Sequence, residues 1–187
     1  MLEAIGLSKA FDGKPVLQNV NLHLKKGVHY CLMGPSGCGK TTLINLFLGL
    51  IKPDSGTIRR THDLRMSAVF QEDRLLEYMT AQANVALVST ADENRIVQLL
   101  LALGIDSESL SQPVSTYSGG MKRRVALARA LLADYDVLFL DEPYKGLDED
   151  TRRAVMAVVN KHTQGKTVLL ITHDKEETDG YQPLVIK

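Results

Sequence analysis

A surplus of charge of either sign is missing from this chain, in which 22 basic residues stand against 22 acidic ones. Overall attraction to nucleic acid is therefore not expected, although a local basic face is still allowed. Cysteine is scarce: Cys31 and Cys38 form neither a metal-ligand spacing nor a disulfide framework, which fits a reducing compartment. Long apolar runs are also lacking. The longest, "LINLFLGLI" at 43–51, is half the length of a membrane span and carries Asn45 and Gly49. The opening "MLEAIGLSKAFDGK" lacks the basic-then-apolar order of a signal peptide, so neither a leader nor a membrane crossing is expected. Repeats, low-complexity tracts and long linkers are absent too. What remains is the composition of a globular protein, 44% hydrophobic and 24% charged, and one domain is the expectation.

Strand and helix signals alternate along that domain. Strands are expected at "VLQNVNLHL" (16–24), "VHYCLM" (28–33), "GTIRR" (56–60), "MSAVF" (66–70), "DVLFL" (136–140), "KTVLLIT" (166–172) and "PLVIK" (183–187). Helices are expected from Gly39 to about Leu50, through "AQANVALV" and "ENRIVQLLLALG", after "YSGG", and from about 149 to 163. A short acidic helix should follow the strand that ends near 172. The alternation implies a mostly parallel sheet covered on both faces, with the helical stretch between 81 and 132 set to one side.

Three short stretches carry chemistry. "GPSGCGKT" at 34–41 lies between a strand and a helix and matches a phosphate-binding loop. Its glycines allow backbone N–H groups to face phosphate, Lys40 reaches the β- and γ-phosphates, and Thr41 can ligate Mg²⁺. Cys38 is either a reactive thiol or simply the occupant of a variable loop position. "VLFLDEP" at 137–143 places Asp141 at the carboxyl end of a buried strand, suited to Mg²⁺, and Glu142 beside it, suited to taking a proton from water. The alternative is an acidic pair capping the next turn.

"YSGGMKRR" at 117–124 sets two glycines and three cations at a helix start, against both helix propensity and the helix dipole. Ser118 is a good N-cap. If an anion binds the helix end, Lys122, Arg123 and Arg124 become favourable; otherwise they point into solvent along a charged face.

With these motifs in order, the sequence resembles the ATPase subunit of ATP-binding-cassette (ABC) transporters over essentially its whole length. The phosphate loop is "GPSGCGKTT", the Q-loop is Gln71 in "VFQED", and the signature is "YSGGM". The Walker B strand is "VLFLDEP", the D-loop "KGLD" ends in Asp148, and the switch histidine is His173. The resemblance implies a phosphate-loop α/β fold with a small N-terminal antiparallel β subdomain and an inserted helical subdomain. The nucleotide-binding core would span about 1–71 and 135–187, and the helical subdomain about 72–134.

The family's roles carry over to matching positions. ATP would be held by Gly34, Pro35, Ser36, Gly37, Cys38, Gly39, Lys40, Thr41 and Thr42, with Phe11 stacked on adenine. Core packing is the other reading of Phe11. Mg²⁺ would be held by Thr41, Gln71 and Asp141. Glu142 would be the base, Gln71 would also touch the attacking water, and His173 would hold the γ-phosphate. Ser118, Gly119, Gly120 and Met121 would meet the ATP of a partner copy, since family members pair head to tail. Met121 and Tyr117 depart from the more usual Gln and Leu. The chain ends soon after His173, so an appended regulatory domain is not expected.

"FQEDRLL" is similar to the nitrate, sulfonate and taurine importer group, although Glu77 and Tyr78 replace the Pro-Trp common there. Leu75, Leu76, Tyr78 and Met79 would line the groove that receives a helix of the membrane subunit; ordinary packing is the alternative. The implied partners are a second ATPase subunit, transmembrane permease subunits and, indirectly, a solute-binding protein. The implied location is cytoplasmic, at the inner face of the membrane. An ABC-type ATPase acting on nucleic acid or ribosomes is the competing class, but repair members carry coiled-coil insertions and translation members two cassettes.

Overall fold

In the computed structural model, which describes residues 1–185, the polypeptide forms two packed units and passes between them more than once. The elements run β1 (Leu2–Phe11), β2 (Lys14–Leu24), β3 (His29–Leu32), α1 (Lys40–Phe47), β4 (Ser55–Arg60), β5 (Met66–Val69), α2 (Ala81–Ala86), α3 (Glu93–Ala102), α4 (Gly119–Leu132), β6 (Val137–Asp141), α5 (Glu149–His162), β7 (Thr167–Ile171) and β8 (Gln182–Leu184).

The first unit holds residues 1–66, 136–141 and those from 165 onward. Two of its strands, β6 and β7, are buried at every residue, which is why both read as unbroken apolar runs. They lie parallel, and β3 and then β8 extend the sheet in the order β6-β7-β3-β8. Helix α1 buries Leu43, Ile44, Leu46 and Phe47, and the Phe47 ring stacks on Phe139 of β6 with centroids 5.9 Å apart. Truncating either ring to alanine would cost about 3–5 kcal/mol. A separate antiparallel sheet, order β2-β1-β4, completes this unit.

Three differences from the sequence reading have local causes. Strand β1 was not anticipated, because three register shifts against β2 break its two-residue period; Leu2, Ala4 and Leu7 are the buried positions. Helix α1 ends at Phe47 rather than Leu50. There Gly49, at φ 74°, donates to Leu46 O and Leu50 donates to Asn45 O, a Schellman stop. The short acidic helix is one 3₁₀ turn, Lys175–Thr178. The last expected strand, 183–187, is met by β8, which ends at Leu184 with Val185 outside it; residues 186 and 187 lie outside the described residues.

The second unit holds residues 67–135 and 142–164 and is mainly helical. Side-chain caps start four of its helices: Thr80 for α2, Asp92 for α3, Ser118 for α4 and Asp148 for α5. Each contributes about 1 kcal/mol by satisfying an otherwise orphan N–H. Asn84, fully buried, ties the segment before α2. Its amide donates to Leu76 O and Thr80 O and accepts from Leu76 N. Among the described residues no helix is long and apolar enough to cross a membrane.

Candidate functional site

Register in the parallel sheet brings the ends of three strands level. Asp141 pairs with Ile171, and Ile171 with Leu32. The segments that leave this edge are therefore the loop 34–39, Asp141 itself, and Thr172–His173. The carboxyl ends of parallel strands are where open α/β sheets bind ligands.

Two glycines of the loop sit where a side chain would not fit. Gly39, at φ 94°, caps α1, and a Cβ there would lie 2.5 Å from Leu17 Cδ2. A Cβ on Gly34 would lie 2.9 Å from Cys38 Sγ. Pro35, Ser36 and Gly37 are exposed, and the first turn of α1 holds no acidic residue. Lys40 is buried, and its ammonium donates to Gly34 O (2.7 Å) and Pro35 O (2.8 Å), so the positive charge sits inside the loop. Cys38 Sγ is 3.7 Å from that ammonium. Thr42 follows on α1, half-buried.

Thr41 Oγ1 donates to Asp141 Oδ2 at 2.6 Å, and Asp141 is fully buried. A hydroxyl and a carboxylate converging on one point are the hard oxygen donors that Mg²⁺ takes, so the residues present fit that ion. His173 is exposed, while its flanks are pinned: Thr172 Oγ1 donates to the buried Glu177 (2.5 Å) and accepts from Asp174 N (3.0 Å). Phe11 is 45% exposed, with the Lys9 ammonium 5.4 Å from its ring centroid. The core reading of Phe11 is thereby excluded.

The second unit carries the other motif residues. Ser118 Oγ accepts from Met121 N (3.3 Å), leaving Ser118 and Gly119 exposed at the start of α4. Tyr117 is buried and donates to Ser109 O (2.6 Å), which accounts for a tyrosine where leucine is more usual. Nothing in the structure explains methionine at 121. Glu142 adopts φ 49°, a left-handed conformation costly for a side chain with a Cβ, and pairs with Lys145 at 3.2 Å. Strain of this kind collects at functional positions. Asp148 caps α5, and the Thr151 N–H holds its carboxyl below the ordinary range. Tyr78 is 97% exposed and Leu76 50%, so ordinary packing does not account for either, whereas Leu75 and Met79 are half-buried.

The three cations of "MKRR" neither crowd the helix end nor point into solvent. Lys122 pairs with Glu77 (2.9 Å), and Arg124 reaches Gly104 O (3.4 Å). Arg123 is buried against Phe70, Gln71 and Asp73. Burial pushes the Asp73 carboxyl up, with Arg123, Lys122 and Arg129 acting in the opposite sense. The sequence reading missed this role of Arg123. A cation with no use at a helix N-terminus was the available signal.

The profile of the family described as "ABC transporter" matches residues 17–145. The chain is 39% identical over 182 residues to the aliphatic sulfonates import ATP-binding protein SsuB 1 of Rhodococcus jostii, covering 94% of this chain and 74% of that protein. It is 38% identical over 192 residues to the taurine import ATP-binding protein TauB of Escherichia coli O157:H7, covering 95% and 75%. Among solved structures it is similar to the dimeric ATP-binding cassette MJ0796 in a post-hydrolysis state bound to ADP and Pi. That match has a TM-score of 0.88 and 27% identity and covers 100% of this chain and 94% of that one. The motif order, the fold and these relatives agree: the chain belongs to the ABC transporter family, as an ATP-hydrolysing cassette.

Proposed function

We propose that the chain binds MgATP on residues 34–42 and uses its hydrolysis to power solute import through separate membrane subunits. The observation that carries this reading is the 2.6 Å hydrogen bond from Thr41 to Asp141, which joins the phosphate loop to the end of β6 beside the buried Lys40. Lys40 and the backbone N–H groups of residues 34 and 36–42 hold the phosphates, and Phe11 stacks on adenine. Thr41, Asp141 and Gln71 would hold Mg²⁺, which when bound neutralises phosphate charge.

Glu142 accepts a proton as water oxygen bonds to the γ-phosphorus, the bond to the β-phosphate oxygen breaks, and ADP carries away that electron pair. Gln71 orients this water, and His173 steadies the γ-phosphate. Ser118, Gly119, Gly120 and Met121 grip the ATP held by a partner copy, with Asp148 at the same junction. Paired copies close on ATP and part after hydrolysis. In this division of labour the nucleotide-binding core is about 1–71 and 135–187 and the helical subdomain about 72–134.

The names of SsuB 1 and TauB favour import, with permease subunits as direct partners and a solute-binding protein as an indirect one. The cassette would then sit at the cytoplasmic face of the membrane, docked through Leu75, Leu76, Tyr78 and Met79. Glu142→Gln tests the reading: ATP still binds, and turnover falls by about a hundredfold or more. Turnover equal to wild type would overturn it.

A further inference from the structure

Residues 70–76 form neither helix nor strand, so the backbone that carries Gln71 needs partners from elsewhere. Helix α4 supplies them. The Arg123 side chain, 6% exposed, donates through Nη1 to Phe70 O (2.5 Å) and through Nη2 to Gln71 O (2.8 Å). Its Nη1 also lies 3.2 Å from Asp73 Oδ1. Further along the helix, Arg129 donates to Arg74 O (2.8 Å) and Asp73 O (3.0 Å). The Arg74 guanidinium lies 3.8 Å from the centroid of the Phe70 ring. Two guanidiniums of one helix thus hold four residues of a segment that has no regular structure of its own.

We propose that Arg123 is a positioning residue for hydrolysis, fastening the backbone of Gln71 to the helix that begins at Ser118. The inference rests on the assignment of Gln71 to the attacking water. A guanidinium presents a rigid fork of donors that serves two adjacent carbonyls and a carboxylate together, which an ammonium cannot reproduce. The buried site raises what is lost if the fork is removed, because the carbonyls and Asp73 would be left without it. Arg123 itself touches neither phosphate nor water in this assignment. Its effect reaches the reaction only through where Gln71 is held.

The test compares wild type, Arg123→Ala, Arg123→Lys, Gln71→Ala and the Arg123→Ala/Gln71→Ala double variant as full chains. The readouts are kcat and KM for ATP hydrolysis, ATP affinity and Tm. Misplacing Gln71 should lower kcat about tenfold or more, with KM and ATP affinity within about twofold. The double variant should be no slower than the slower single one, and Arg123→Lys should recover only part of the lost rate. If Arg123→Ala fails to fold, Arg123→Lys, which keeps charge and most of the volume, takes its place in the same comparison. A wild-type kcat in the Arg123 variants, losses that multiply in the double variant, or a fall in Tm alone would overturn the proposal and leave Gln71 in its assigned role. Wild-type turnover by Gln71→Ala would instead remove that role, and this inference with it.

Discussion

Thr41 donates a 2.6 Å hydrogen bond to Asp141 although 100 positions of chain separate them. The contact exists because α1 starts where β3 ends and β6 lies one strand beyond β7, so two distant motifs share one edge of one sheet. If both oxygens serve Mg²⁺, Asp141→Asn and Thr41→Ala should each raise the Mg²⁺ concentration for half-maximal ATPase activity by on the order of ten- to a hundredfold. A Mg²⁺ titration of turnover measures this. Reduced activity with an unchanged Mg²⁺ midpoint would assign the pair a purely structural role.

Gly39 and Gly37 separate backbone strain from steric conflict. Both have positive φ, but a Cβ on Gly39 meets Leu17 at 2.5 Å while one on Gly37 meets nothing within 4 Å. Gly37→Ala should therefore cost only the left-handed backbone penalty, about 1–2 kcal/mol. Gly39→Ala should cost more, lowering Tm further than the shift of about 2–8 °C that such a penalty gives in a chain of this length. Calorimetry that ranks the two equally would mean the loop relaxes around the new methyl.

Asp136 and Arg65 give the first unit a pH-sensitive tie. Arg65 donates through Nε and Nη2 and its backbone N–H to the Asp136 carboxylate, and those bonds hold that carboxyl at about 2. Because the folded value is depressed, the contribution is fully present above about pH 4 and is lost as pH falls toward about 2. The side chains are 49% and 37% exposed, so solvent screening limits the effect to under about 1 kcal/mol. Wild type should exceed Asp136→Asn in denaturant midpoint at pH 7, and the gap should close near pH 2. A gap independent of pH would contradict the linkage.

The motifs were legible because they set particular residues at particular spacings, and the structure brings Thr41 and Asp141 into hydrogen-bond contact while Lys40 folds back onto its own loop. Buried strands were legible for a similar reason: an unbroken apolar run such as Val137–Leu140 has few other uses. Strand β1 was not, since its register shifts erase the alternation that betrays a strand. Nor was the direction of Arg123. A long side chain at a helix start can turn toward ligand, solvent or its own subdomain, and only tertiary contacts with residues 70–73 decide among them.

Tyr78 tests the membrane-facing assignment without touching ATP chemistry. A ring 97% exposed contributes little to stability, so Tyr78→Glu should leave Tm and ATP affinity at wild-type values. In an assembled transporter the same change should reduce solute uptake by about tenfold or more, because a charge would enter an apolar contact. Unchanged uptake would remove this residue from the docking groove.

The most direct measurement mixes two crippled copies. Lys40→Ala removes the phosphate-loop cation, and Ser118→Ala removes the cap that opens α4, so neither copy alone can assemble a complete pocket. If each ATP is held between one copy's loop and another's helix start, a mixed pair restores one intact pocket of its two. ATP turnover should then rise above that of either parent and peak near equal proportions. Turnover that merely interpolates between the two parents at every ratio would contradict the shared pocket on which the whole account stands.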